Sequence, residues 1–469
     1  MRTGNEHLSW ELTMYDRLSK LIIATLFCCL SVSGYGQDLA CSDAVSVAGP
    51  VIEVTAITGD DTANIQCALD EAAELGYREV LLTSAQYEIG AISVDRFIGD
   101  FKGKSSDITE LAARNQGVSC NQSDANAVLK FRGGSPSVKN MAIIVDRPCQ
   151  ETGAVSVITF SGESDNCDKR TVFGTVDRVV ITGTGLSSAD TVTAITADTS
   201  PECDFSNQQI NGSLIVNRVT FSDLDFGVIS SLGNSSPVDI TFNTFSRIGL
   251  PITVVDARQA TKIFRNTFNY NDVNGYSNGL GTTAVFVANT ALSPIRNSTL
   301  IQDNTFNDFG ANDAAFGVLS GQSGQEVAHS FSVIDNRFFG SGFPADATGI
   351  AVLDTTGGIV ANNRFKDGDL WIYLGLGDLQ REVTGWAIVG NDFSGSKAAP
   401  DIRLDFGTSG NVVGAGQNLG VVDDTTGLND ILLDSVMAKS MRPRNLGSQP
   451  NPAARQTVDL LITAFDLGK

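Results

Sequence analysis

Residues 261–270 read TKIFRNTFNY, residues 299–308 read TLIQDNTFND, residues 331–340 read FSVIDNRFFG, and residues 358–367 read GIVANNRFKD. Each stretch is a short alternating apolar run, one polar step, then Asn-x-Phe. The motif also occurs at Asn243-Phe245 and Asn391-Phe393, so successive Asn residues lie 23, 38, 32, 27 and 28 positions apart. Repeats of 20 to 50 residues are the signature of a solenoid. Alternation within TGIAVL (348–353) and DLWIYL (369–374) has the period of a strand, not of a helix. A constant strand content with variable spacing predicts coils of similar core and unequal connecting segments. No single coil can bury its inward face alone, but stacked coils share one core. Phe at an equivalent place in each coil predicts an internal column. Asn at a bend predicts a ladder in which each side chain bonds its equivalent and nearby backbone groups.

Working outward, the composition agrees. The 469 residues include 47 Gly and only 12 Pro, and charged residues are 18%. Val, Ile, Thr and Phe dominate the apolar set, which suits many short strands joined by tight turns. A 42% hydrophobic fraction excludes a globally disordered chain. The formal charge of −21 excludes free nucleic acid as a partner, because phosphate binding needs a basic footprint. The same sign repels an anionic polysaccharide unless a local Arg/Lys cluster or a bridging Ca²⁺ intervenes. Ca²⁺ is therefore the one cofactor the chemistry invites, with no residue set assigned to it.

Leu21 to Val32, LIIATLFCCLSV, is apolar, too short to span a bilayer, and preceded by Arg17 and Lys20. It reads as the core of a signal peptide over 1–36, with the mature chain beginning near Gln37 and Met14 an alternative start. No other segment is apolar enough for a membrane span, and the expected location is secreted, extracellular or periplasmic. Removing 1–36 leaves Cys41, Cys67, Cys120, Cys149, Cys167 and Cys203. An even number in an exported chain predicts two or three disulfides, with connectivity open. Residues 37–440 are expected to form the β-helix domain, and 441–469 a C-terminal tail whose VDLLITAF segment could cover the last coil.

The block after Gln37 has its own shape. GDDTANIQCALDEAAEL (59–75) predicts a helix capped by Asp61 or Thr62, with Ile65, Leu69, Ala72 and Ala73 on its apolar face. The strands EVLLTSAQYEIGAISV and FIGDFKGKSSDITEL follow. This block resembles the N-terminal region of the pectate lyase superfamily. There, an Asp-Asp-Thr turn starts a helix that caps the first coil. A Tyr strand like Gln86-Tyr87-Glu88-Ile89 and a Gly-punctuated turn like Gly99 to Gly103 follow. The resemblance covers about fifty residues. It implies an all-β, right-handed parallel β-helix solenoid with a short N-terminal capping helix, of roughly ten to thirteen coils at 25 to 35 residues each. It also implies a carbohydrate polymer as partner, lying along one exposed sheet across successive coils.

It does not imply one reaction. The Asn-Thr-Asp, Gly-His-Gly and Arg-Ile-Lys patterns of polygalacturonase-like hydrolases are missing, as is the Asp-Pro-His-Asp of alginate epimerases; the only late Asp-Asp is Asp423-Asp424. His329 is the one histidine after the signal segment and reads as a solvated loop or groove residue. Aligning the last coils by their apolar residues points Ile350, Val352, Leu370, Ile372, Leu374, Ile402 and Leu404 inward. Two outward columns follow: Ala351, Trp371, Arg403 and Leu353, Tyr373, Asp405. Trp371 would be a stacking platform for sugar. Arg403 would hold a carboxylate or sulfate, and Asp405, Asp354 and Tyr373 would move protons. Asp256 and Arg258, after PITVV, form a second candidate. The expected function is a secreted polysaccharide lyase or glycoside hydrolase; the alternative is a non-catalytic carbohydrate-binding or adhesion β-helix. Oligomeric state is left open.

Overall fold

The computed structural model describes residues 41–114 and 127–432, without 147–153, 163–170, 185–190, 199–210, 232–236, 256–260, 270–282, 290–296, 308–315, 323–327, 341–347, 369, 377–380, 397–399 and 415–420. The expected signal peptide, the C-terminal tail, Cys120, Cys149, Cys167 and Cys203 lie outside the described residues.

The strands stack as three parallel ladders that the chain visits in turn, forming a right-handed parallel β-helix. The first sheet has twelve described rungs, from Ile92–Asp95 through Ala127–Arg132 to Leu370–Gly375, Ile402–Leu404 and Val422–Asp424. The second sheet holds the strand that precedes each Asn, such as Val238–Thr241 and Thr261–Phe264. The third holds the Phe strands, such as Thr267–Asn269, Thr305–Asn307 and Arg337–Phe339. Among the described pairings of these ladders, the antiparallel one joins Val45–Ala48 to Val51–Val54 at the N-terminal end.

The helix is Thr62–Leu75, closed at its C-terminus by Gly76 in the left-handed region, φ 79°. Ile65, Ala68, Leu69 and Ala72 are buried against the first coil. Asp61 is the N-cap residue, but its side chain makes no cap bond. Its carboxylate instead accepts from Ile57 N–H at 2.7 Å and Glu88 N–H at 3.1 Å, tying the helix entry to the Tyr strand. Tyr87 is buried there, donating to the Val54 carbonyl at 2.7 Å. Gly99 to Gly103 is not a turn: Ile98–Lys102 is a strand of the second sheet. A Cβ on Gly99 would sit 2.2 Å from the Arg78 carbonyl, so glycine here serves close backbone approach.

Both repeat predictions hold. Phe245, Phe268, Phe306, Phe338, Phe365 and Phe393 are buried and stack ring on ring with centroids 4.4–5.1 Å apart. Phe221 extends the column by one coil at 4.6 Å. Each ladder Asn donates its amide to the next, 3.0 Å from Asn243 to Asn266 and 3.1 Å from Asn266 to Asn304, continuing through Asn336 and Asn363 to Asn391. The residue before each Asn turns the chain with positive φ, from Phe242 at 58° to Gly390 at 65°. The bend strips hydrogen-bond partners from the backbone, and Asn restores them. Asn304, for example, donates to the Ile263 carbonyl at 2.9 Å and accepts from Asn266 N–H at 2.9 Å.

Candidate functional site

In the last coils Ile350, Ile372 and Ile402 pair across the first sheet, as do Val352, Leu374 and Leu404, and all six are fully buried. These six inward residues are as expected; Leu370, also expected inward, is only half-buried. The outward columns are not as expected. The register pairs Ala351 with Tyr373 and Tyr373 with Arg403, and then Arg403 with Asp423. Tyr373, not Trp371, is therefore Arg403's neighbour, a displacement of two residues. Because side chains alternate with period two, such a slip preserves the in/out parity while changing every partner.

Trp371 is also not a platform. It is fully buried, its indole 5.2 Å from Phe365 and 6.5 Å from Phe338, with its N–H donating to Ser396 Oγ at 2.8 Å. Strand alternation breaks at this residue. It lies across from Gly349, whose missing side chain leaves the space that the indole takes up: a Cβ there would approach Trp371 Cε3 at 2.8 Å. Trp371 is thus a core residue at the corner between the third and first sheets.

Tyr373, Arg403 and Asp405 do come together, but Tyr373, expected on an open outward column, is buried. Asp405 is 5% exposed and accepts from Tyr373 Oη at 3.3 Å, Thr425 Oγ1 at 3.3 Å and Phe406 N–H at 2.8 Å. Arg403 Nη2 lies 3.3 Å from the same carboxylate. The tyrosine reaches Asp405 by leaning along its own strand over Gly375, where a Cβ would sit 2.5 Å from the hydroxyl. Arg403 keeps 24% of its side chain exposed, and its Nε has no hydrogen-bond partner. Asp354 is 3% exposed, has φ 52°, and accepts from Arg381 N–H at 2.9 Å. It sits at the turn between Thr348–Leu353 and Thr356–Ala361, and its carboxylate holds the main chain of a later segment. Asp256 and Arg258 lie outside the described residues. His329 is in the strand Ala328–Ile334, opposite Asn297, and not in a loop.

Two members were missed. Asp423 sits beside Arg403 on the last rung, and Thr425 bonds Asp405. Asp423-Asp424 stood out in the sequence, but only the register of the final coil connects it to Arg403. Asp401 lies one residue before the strand Ile402–Leu404 and is buried. Burial raises its pKa above the usual carboxylate value, against the lowering effects of hydrogen bonds from Ser396 and Val421 N–H. Among the described residues the one grouping with metal-ligand geometry is Cys41, Cys67 and Glu71, and those cysteines are joined as a disulfide. No helix among the described residues is long and apolar enough to cross a membrane.

No protein-family model matches the chain, and no curated protein matches it in sequence. Solved structures do. A double mutant of the tailspike protein of E. coli bacteriophage HK620 matches with TM-score 0.50 at 11% identity, over 86% of this chain and 76% of that one. The A-module of Azotobacter vinelandii mannuronan C-5 epimerase matches with TM-score 0.35 at 13% identity, over 84% and 96%. PfbA, a surface adhesin of Streptococcus pneumoniae, matches with TM-score 0.36 at 11% identity, over 80% and 88%. At such identities the likeness is one of fold. The chain is a right-handed parallel β-helix with the pectate lyase-like fold.

Proposed function

We propose that this chain is an exported carbohydrate-binding β-helix that receives a polysaccharide on the outer face of the first sheet, near its C-terminal end. The observation that carries this reading is Arg403. Its guanidinium is partly exposed, is anchored on one side by Asp405, and stands one rung from Asp423. A fixed cation beside a carboxylate offers donors and an acceptor to neighbouring sugar hydroxyls, and the rung spacing of about 4.8 Å sets them along the helix axis. The sharing of a fold with a tailspike supports the scaffold of this reading, not its chemistry. Export is supported by the apolar Leu21–Val32 segment and by the Cys41–Cys67 disulfide, which belongs to an oxidising compartment.

Binding is preferred to hydrolysis because the carboxylates are engaged. Asp405 holds a full set of donors and is nearly closed to solvent, and Asp354 is buried in its turn. A general acid must reach the bond it protonates. One observation favours a second, catalytic reading: the Tyr373 hydroxyl, the Arg403 guanidinium and the Asp405 carboxylate converge. In a lyase, Arg403 would neutralise a uronate while Tyr373, itself 3% exposed, moved the proton once binding uncovered its hydroxyl.

The test is a panel of neutral and acidic polysaccharides, with and without a chelator to test the Ca²⁺ expected from the sequence. The expected result is binding that Arg403→Gln weakens at least about tenfold, with no new reducing ends and no absorbance from unsaturated ends. Absence of binding across the panel overturns the proposal. Product formation that Tyr373→Phe abolishes replaces it with the lyase reading.

A further inference from the structure

The second sheet carries an aromatic and cationic cluster on another face of the solenoid. At the Asn bend, consecutive rungs place Arg218, Phe242 and Arg265 one above the next: Arg218 N–H donates to the Thr241 carbonyl, and Phe242 N–H to the Phe264 carbonyl. All three residues have positive φ, 53°, 58° and 54°. Elsewhere along this bend the position is held by Asn140, Arg178, Asp303, Asp335, Asn362 and Gly390. A phenylalanine there is the exception, since a bulky side chain is poorly tolerated in the left-handed region. Its ring is not repaid by burial, being 45% exposed.

The ring has an ordered setting. Phe264 meets it edge to face, centroids 5.8 Å apart at 86°. Arg265 Cζ stands 4.7 Å from the Phe264 ring centre and 5.8 Å from that of Phe242, and Lys262 Nζ stands 4.8 Å from Phe264. The cluster's acidic neighbours are Asp303, which pairs with Arg265 at 2.8 Å, and Asp239, which faces Lys262 across the rung. Arg218 is exposed, and its guanidinium makes no ion pair among the described residues. Arg218, Lys262 and Arg265 against two carboxylates leave this corner cationic on a chain of net charge −21.

The geometry points to a second glycan site at this corner, distinct from the first-sheet face, which takes a sugar carrying an acid group. The exposed face of Phe242 stacks on the sugar ring's C–H face, and Arg218 and Arg265, one rung to either side, receive its carboxylate or sulfate. On an otherwise repulsive surface, local charge complementarity selects such a ligand.

The test uses the full chain carrying Arg403→Gln, so that loss of the first-sheet reading does not affect the result. Oligogalacturonate, a sulfated dextran oligosaccharide and neutral dextran are titrated by calorimetry at low and physiological salt. Phe242→Asn removes the ring yet suits the bend, where Asn140 and Asn362 already occupy the same place. The expected result is binding of at least one acidic oligosaccharide, weakened about tenfold by Phe242→Asn and by Arg218→Gln, with neutral dextran binding more weakly. The uronate and sulfate arms then tell which acid group is taken. Failure of both acidic ligands to bind, or binding that neither variant changes, overturns the proposal.

Discussion

At the scale of the residue, this fold depends on polar groups placed where the backbone bends. Asn304 accepts from Asn266 main chain and side chain, and donates to Asn336 and to the Ile263 carbonyl. Asn304→Ala would strand several buried partners at once, each costing about 1–3 kcal/mol when left alone. The urea midpoint should fall strongly with the m-value unchanged. Asp401 is the opposite case, a buried acid with Oδ1 unpartnered. Its folded pKa is raised above 3.8, first by burial, so folding takes up protons. Its contribution is therefore most favourable below about pH 3.8 and is lost as pH rises through the raised value. Asp61 and Asp70 are shifted the same way by burial. Asp401→Asn should stabilise the chain at neutral pH, and melts across pH should show that gain shrinking toward acid.

At the scale of the element, glycine decides what neighbouring side chains can do. Gly317 lies against Phe338, and a Cβ there would approach the ring at 2.7 Å; the Phe column requires a small residue at the corner of the first sheet. Gly375 is the equivalent requirement on the outer face, leaving room for the Tyr373 hydroxyl. Gly375→Ala should leave the fold intact, because strand backbone accepts alanine, yet displace Tyr373 from Asp405. The expected outcome is an unchanged far-ultraviolet dichroism spectrum with glycan binding on the first sheet weakened about tenfold. The same elements mark what the sequence disclosed. The Asn-x-Phe repeat made the ladder, the ring column and the parallel stacking legible, because each is a local pattern repeated. The inward positions Ile350, Val352, Ile372, Leu374, Ile402 and Leu404 were legible for the same reason. The candidate site was only partly so: Tyr373, Arg403 and Asp405 stood out in the sequence and lie together, but their partners depend on register. Register is set by how the segments between strands return the chain, which alternation cannot reveal. Trp371 was misread because a corner glycine on the preceding rung, not its own strand pattern, determines where it points.

At the scale of the whole molecule, a solenoid binds each coil to its neighbours, so its ends are its weak points. A net charge of −21 adds self-repulsion throughout, and raising salt should raise the melting temperature. The N-terminal end is closed by the helix Thr62–Leu75 and by the disulfide joining Cys41 to Cys67 across a separation of 26 residues. Cross-linking a loop of that length removes unfolded-state entropy equivalent to about 3.5 kcal/mol. In a globule that loss would be felt everywhere. Here the bond spans only the Val45–Val54 hairpin and the cap, so its effect should be local. Cys67→Ser should speed hydrogen exchange in Val51–Val54, Glu79–Leu82 and Ile98–Lys102, which stack in that order from the end. Exchange in Asn297–Gln302 and Ala328–Ile334, many coils away, should be unchanged. Uniform acceleration along the chain would mean that the coils unfold as one unit, and nearest-neighbour stacking would then not describe this protein's stability.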